Sequence, residues 1–355
     1  MKSVGIMTTV YGNNFGEALQ AFAMRKSINT YCPDHQAELI GFKCFNQKSL
    51  TKPGFEGYEE LLELKQSKFE EFRRNEIGLT VNSVNSITKE NAPDFDQFVF
   101  GSDQIWNTQA WKIPEFFGSF VPDNKRKIAY AASVGLNPAN PNLDSTLFKE
   151  YLDSFYAVSV REKIHCDYVQ QFTSKPVRHV ADPTMLLDVS VYNDLIKLAN
   201  PKKPTNNYVF YYQPHSADGA IVSLVNKIAR TQKWDVVHTF AHIPNCMFPY
   251  ESVSARFDGP REFLSYIQGA SLVITRSYHA AVFSILFHKP FYVYVDKKTG
   301  SRFESLLCTL GLEDRLVYDY LKLEDINFTI DYDSVQKKLD SFKADSIGFL
   351  REALN

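Results

Sequence analysis

Short unbroken apolar runs alternate along the chain with stretches whose apolar residues recur every three or four positions. The first spacing suits strands buried on both faces, and the second suits helices with one buried side. Val4 to Thr8 is the first such strand; the loop VYGNNFG follows, then a helix from about Glu17 with Leu19, Phe22 and Ala23 inward. Ala37 to Phe42, Phe98 to Phe100, RKIAYAASVG and Phe155 to Val160 read as further strands, with a helix near Asp144 to Asp153. A last short strand in VRHVADPTMLL closes the series. The linker LANPKKPTNN, with two prolines and two lysines, is the best boundary in the chain.

Beyond the linker the pattern restarts. Tyr208 to Tyr212 and Val236 to Phe240 read as strands, and Ile221, Leu224, Val225 and Ile228 mark one buried helix face. A helix from Arg261 to Gln268 leads into the most informative stretch, Ala270 to Val295. There a strand, Ser271 to Thr275, is followed by a polar turn and by a helix with Ala281, Val282, Ile285 and Leu286 on one face. Pro290 ends that helix before the strand Phe291 to Val295. Strand, turn, helix, strand is the crossover unit of a parallel sheet. The two series predict an α/β fold of two Rossmann-like domains facing a cleft. Residues 1–190 form the first domain and 191–330 the second, with a C-terminal helix over 331–355 packing back across the junction. Within the first domain, about 44–95 reads as a helical insertion with a solvated, charge-laced outer face. Asp331-Tyr332-Asp333 reads as a cap and turn before the tail helix rather than as a metal-binding pair.

Composition narrows the function classes. A net charge of −2 gives no global field pointing to nucleic acid. Five cysteines, scattered and never spaced C-x-x-C, fit a reduced cytoplasmic compartment better than a disulfide framework or zinc site. No apolar run has the length of a membrane span, and the N-terminus runs directly into a strand. G-x-x-x-x-G-K-[ST], H-E-x-x-H and G-x-S-x-G are all absent.

The candidate chemistry collects at strand ends. Arg276, Ser277 and His279 occupy the turn after the strand at 271–275, where Ser277 is positioned to cap the next helix. An arginine, a hydroxyl, a histidine and helix-tip amides make an anion site with a proton donor beside it. Lys297, Lys298 and Arg302 follow the next strand. Arg161 stands at another strand tip, and the segment REKIHCDYVQQF predicts a helix starting there. A cation at a helix N-terminus is disfavoured unless an anion or Glu162 offsets it. Gly12 and Gly16 bracket Asn13 and Asn14 at the first strand-to-helix turn, which in an open α/β sheet borders the ligand crevice. Asp103, in Gly101-Ser102-Asp103, is placed to orient a hydroxyl, to act as a base, or to cap a helix.

Taken in order, NNFGEALQAFAM, FVFGSDQIWN, KIAYAASVG, VSVREK, ADPTMLL, ITRSYHAAVFSILFHKPFYVYV and SRFESLLCTLGLEDRL resemble the polysaccharide pyruvyl transferase family. The resemblance implies a fold similar to two-domain GT-B-type glycosyltransferases, with acceptor on the first domain and donor on the second. It implies transfer of a carboxyethylidene group from phosphoenolpyruvate, as co-substrate and without a cofactor, to two hydroxyls of one sugar. The product is a cyclic pyruvate ketal on an exopolysaccharide or capsule precursor. The resemblance assigns Arg161 to the donor and His279 to general acid catalysis. Lys297 or Lys298 is the nearest match to a donor lysine, with Arg276, Ser277 and Arg302 beside it. Some members carry arginine where this chain has Ser277. Asn14, Glu17, Asp103 and Gln104 fall on the acceptor side. A lipid-linked acceptor would bring the chain to the inner membrane face as a peripheral protein. Two alternatives stay open from the residues alone: a nucleotide-sugar-dependent glycosyltransferase on a similar scaffold, and a non-catalytic carbohydrate-binding module.

Overall fold

The computed structural model describes residues 1–43, 57–79, 85–140, 142–213, 219–240, 247–295, 300–319 and 326–355. The chain opens with β1 (Lys2–Met7), α1 (Phe15–Tyr31), β2 (His35–Leu39) and α2 (Tyr58–Phe72). β3 (Gln97–Phe100), β4 (Arg126–Ala132), α3 (Thr146–Tyr151), β5 (Ala157–Val160), α4 (Cys166–Gln170) and β6 (Val177–His179) follow. Next come α5 (Val189–Lys197), β7 (Tyr208–Tyr212), α6 (Gly219–Gln232), β8 (Asp235–His238) and β9 (Ser252–Ser254). The last elements are α7 (Pro260–Gly269), β10 (Leu272–Thr275), α8 (Tyr278–Leu286), β11 (Phe291–Tyr294), α9 (Ser301–Leu310), β12 (Leu316–Val317) and α10 (Tyr332–Leu354).

The strands form two six-stranded parallel sheets, ordered β2-β1-β3-β4-β5-β6 and β12-β11-β10-β7-β8-β9. Each sheet reverses its winding once, between β1 and β3 in the first and between β7 and β10 in the second. Ligands of open α/β sheets bind outside the carboxyl ends of the strands at such a switch point. The register aligns Met7 with Phe100 and Thr275 with Tyr212, so the two strands at each switch end level.

The chain divides into two compact units: residues 1–48, 71–187 and 337–355, and residues 49–70 and 188–336. The first is centred on an aromatic core. Trp106 lies between Phe117, Phe148 and Phe155 at centroid separations of 5.6, 5.7 and 6.1 Å. Each such ring buried contributes about 1.5–3 kcal/mol of transfer free energy. In the second, Val209 and Tyr211 of β7 pack with Ile221, Leu224, Val225 and Ile228 of α6, the face its spacing predicts.

Two segments belong to a different unit from the elements that precede them in the chain. Most of α2 clusters with the second unit, because Lys68 meets the Asp258 carboxylate at 2.5 Å and Tyr58 packs edge-on against Phe257. From Lys337 onward α10 belongs to the first unit. There Ser346 Oγ accepts from the Ala181 amide at 2.8 Å, and the Leu354 carbonyl accepts from Gln97 Nε2 at 2.9 Å. The Asp331 side chain accepts from the Ser334 amide at 3.1 Å, the cap its position suggested. No helix among the described residues is long and apolar enough to cross a membrane.

Candidate active site

In the first unit, β1 delivers Thr8 and Thr9 to the switch point, and α1 begins just beyond. Asn14 caps α1, its Oδ1 accepting from the Gly16 and Glu17 amides at 2.9 and 3.3 Å. That bond restrains Asn14 and fixes where Glu17 stands. The Glu17 carboxylate folds back to accept from the Gly12 amide at 2.5 Å, in space that a side chain at position 12 would fill. Burial, and then the nearby Asp103 carboxylate, push the Glu17 pKa up to about 7, against the opposing pull of the Gly12 amide and Arg73. A carboxyl that titrates near neutrality can take or give a proton during a reaction. Gln20, one turn further along the helix, donates to Thr8 Oγ1 at 2.9 Å and to the Thr9 carbonyl at 3.2 Å. Arg73 is buried rather than on a solvated face, with Nη1 3.5 Å from the Gly12 carbonyl.

β3 brings Asp103 and Gln104 to the same switch point. Asp103 does not cap a helix. It has φ +61, its Oδ1 accepts from the Gln104 amide at 2.8 Å, and its Oδ2 accepts from Thr9 Oγ1 at 3.0 Å. The carboxylate therefore ties the β1 and β3 tips together and orients a hydroxyl. Gln104 Oε1 accepts from Asn107 Nδ2 at 3.0 Å and lies where a Cβ on Gly135 would stand.

Arg161 is only 3 % exposed, and it does not start a helix. A short 3-10 turn over Lys163–His165 intervenes, and α4 begins at Cys166. Its charge is offset by carboxylates instead: Nε lies 3.0 Å from Glu162 Oε1 and Nη1 lies 3.1 Å from Asp182 Oδ2. Ser133 Oγ donates to Glu162 at 2.8 Å, Ser102 Oγ donates to Asp182 at 2.9 Å, and His165 Nδ1 lies 3.1 Å from Glu162. Burial alone would raise the Glu162 pKa, but Arg161, His165 and Ser133 outweigh it and hold the carboxyl down to about 2. One buried polar network thus links the segments FGSDQ, AASVG, SVREK and ADPT at the carboxyl ends of β3 to β6.

In the second unit, β10 ends at Thr275, whose hydroxyl donates to the Tyr212 carbonyl at 2.8 Å. Ser277 caps α8, its Oγ accepting from the Ala280 amide at 3.4 Å. Arg276 lies over the Tyr294 ring at 5.5 Å, and His279, 7 % exposed, sits in the first turn of α8 beside Tyr278. Arg302, in the first turn of α9, stands 5.7 Å from the Phe303 ring centroid, and Phe303 is 6.4 Å from Tyr278. Arg276, Ser277 and His279 thus share the turn after β10, and Arg302 lies in the first turn of the helix after β11, the parallel neighbour of β10. Lys297 and Lys298 lie outside the described residues. Among those residues, no group of three or more His, Cys, Asp or Glu side chains is placed to hold a metal ion.

The residues missed by pattern reading are Gln20, Arg73 and the Asp182 arm of the Arg161 network. Only Gln20 had a local signal: it follows Glu17 at helical spacing, on the same face.

Two parallel-sheet units with polar clusters at their switch points define an α/β architecture similar to the GT-B type. Methanocaldococcus jannaschii UDP-GlcNAc 2-epimerase superposes with a TM-score of 0.50 at 11% identity, covering 97% of this chain and 100% of that one. The Neisseria meningitidis UDP-GlcNAc 2-epimerase gives 0.49 at 11% identity, covering 100% and 94%. The E. coli ADP-heptose LPS heptosyltransferase II gives 0.38 at 8% identity, covering 97% and 99%. No curated protein matches the chain in sequence. The model of one family, polysaccharide pyruvyl transferase, matches residues 14–296, and the chain belongs to that family of transferases.

Proposed function

We propose that the chain transfers the carboxyethylidene group of phosphoenolpyruvate to two hydroxyls of one sugar residue in a bacterial surface polysaccharide precursor. The product is a cyclic pyruvate ketal, and phosphate is released. Phosphoenolpyruvate enters as a co-substrate, and the reading requires no cofactor.

In this mechanism His279 protonates the methylene carbon, leaving an oxocarbenium-like centre at the neighbouring enol carbon. One sugar hydroxyl adds there, the bond to the phosphate oxygen breaks, and the second hydroxyl closes the ring. Of the two hydroxyl protons, one balances that given to the methyl group and the other leaves with phosphate. Arg276 and Arg302 match the carboxylate and phosphate of the donor in charge. Glu17, held near neutrality, is suited to accept a hydroxyl proton. Arg161 is the residue that the resemblance assigns to the donor, and its two carboxylate partners give it a positioning role as well.

The observation that carries the proposal is the turn after β10, which groups Arg276, Ser277 and His279 in a chain whose residues 14–296 match the family. A thermal-shift comparison tests the donor. Phosphoenolpyruvate should raise the melting temperature, whereas uridine and guanosine nucleotides should not. Stabilisation by a nucleotide alone favours a nucleotide-sugar glycosyltransferase.

A further inference from the structure

The helices that follow β10 and β11 begin differently. α8 is closed by the Ser277 side chain. α9 follows Gly300, which has no side chain to offer, and among the described residues no side-chain cap bond closes its first turn. Gly300 is already helical, with φ −68 and ψ −29, and its carbonyl accepts from the Phe303 and Glu304 amides at 2.9 and 3.0 Å. The amides at the tip therefore point outward along the axis, at the positive end of the helix dipole. The first helical residue, Ser301, is only 5 % exposed, yet its enclosed Oγ has no hydrogen-bond partner among the described residues. Buried hydroxyls normally find one.

The surroundings identify what is missing. Arg302 occupies the second helical position, so a guanidinium stands beside the positive end of the helix dipole. The carboxylate of that turn, Glu304, is engaged by the Tyr318 hydroxyl. β10 and β11 are paired neighbours, with Thr275 aligned on Val293, so α8 and α9 both start from the carboxyl edge of this sheet. The Tyr278–Phe303 ring contact brings their first turns together.

We infer that the first turn of α9 is the phosphate seat of the donor, formed by the helix-tip amides, the Ser301 hydroxyl and the Arg302 guanidinium. The donor carboxylate and enol carbon are then left to Arg276 and His279. This rests on the phosphoenolpyruvate reading above and adds to it Ser301 as the residue that recognises the phosphomonoester and holds the departing phosphate.

Titration calorimetry with inorganic phosphate, and separately with pyruvate, tests the assignment on the whole chain. Ser301→Ala should weaken phosphate binding roughly tenfold, the range for a lost bond to a charged group, and leave pyruvate binding unchanged. Ser301→Asp places a carboxylate where the dipole favours one, so the helix keeps its stability while phosphate binding is lost. Wild-type phosphate affinity in both variants, or equal weakening toward phosphate and pyruvate, overturns the seat. Acceptor-dependent phosphate release by the wild-type protein is measured in parallel. Turnover with phosphate binding indifferent to Ser301 sinks this inference alone. Ser301-dependent phosphate binding without turnover on any acceptor sinks the transfer reading and leaves an anion seat.

Discussion

Arg161 Nη1 lies 3.1 Å from Asp182 Oδ2, joining the ends of β5 and β6 through two residues 21 positions apart. Because Glu162 and Asp182 both contact this arginine, removing it leaves buried carboxylates uncompensated. Losing one partner of such a buried pair costs about 3–5 kcal/mol. Arg161→Ala should therefore lower unfolding stability by that order in urea titrations, in addition to any rise in the KM for donor. A variant as stable as the wild type, with only its donor KM raised, would assign Arg161 to the ligand alone.

The same network sets an acid limit. Glu162 is held at about 2, below its ordinary value of 4.5. Its contribution to stability is present above 4.5 and lost as pH falls from there through about 2. Glu162→Gln should flatten the stability profile in this window while lowering stability at neutral pH. An acid limb of unchanged depth in the variant would place the sensitivity elsewhere.

Glu17 moves the other way. With its pKa raised to about 7, its stabilising contribution is present below 4.5 and lost as pH rises through about 7. As the base for an acceptor hydroxyl it must be ionised, so kcat should rise through the same pH and level off above it. Glu17→Gln should remove that rise, lower kcat on the order of 10²–10⁴-fold, and remove the loss of stability between 4.5 and about 7. A variant whose kcat profile still rises near neutrality excludes Glu17 as the base.

His279→Ala should lose on the order of 10²–10⁴-fold in turnover, the usual range for a general acid, with little change in donor affinity. Stopped-time assays of phosphate release alongside donor titrations separate the two effects. Near-normal turnover would reduce the imidazole to a packing element of the α8 start.

The second half of the fold was the more legible in sequence. β7 reads as one continuous apolar run, Tyr208 to Tyr212, and its observed bounds coincide with that run. Ser277 could be recognised as a cap because the signal is local: a hydroxyl just before an apolar-periodic helix. β2 was placed two residues too late, since its first half alternates, with Gln36 exposed between buried His35 and Ala37. The edge strands β9 and β12, three and two residues long, carry too few positions to show a period. Arg161 shows the limit of local reading. Its strand-end position was visible, but a 3-10 turn displaced the helix expected to start there, and Asp182 is brought beside it only by the pairing of β5 with β6. The buried Arg73 was hidden for the converse reason: the charges around it suggested a solvated face, while its partner, the Gly12 carbonyl, comes from a distant turn.

The most direct test follows the enol carbon itself. Purified protein is incubated with phosphoenolpyruvate carrying a heavy-carbon label at that position and with galactose-, glucose- and mannose-containing acceptors, and the product is read by carbon NMR. The account predicts a labelled quaternary carbon joined to two oxygens of one sugar, formed in step with phosphate and lost in His279→Ala. Label found only in free pyruvate or unreacted donor, with every acceptor tried, would contradict it.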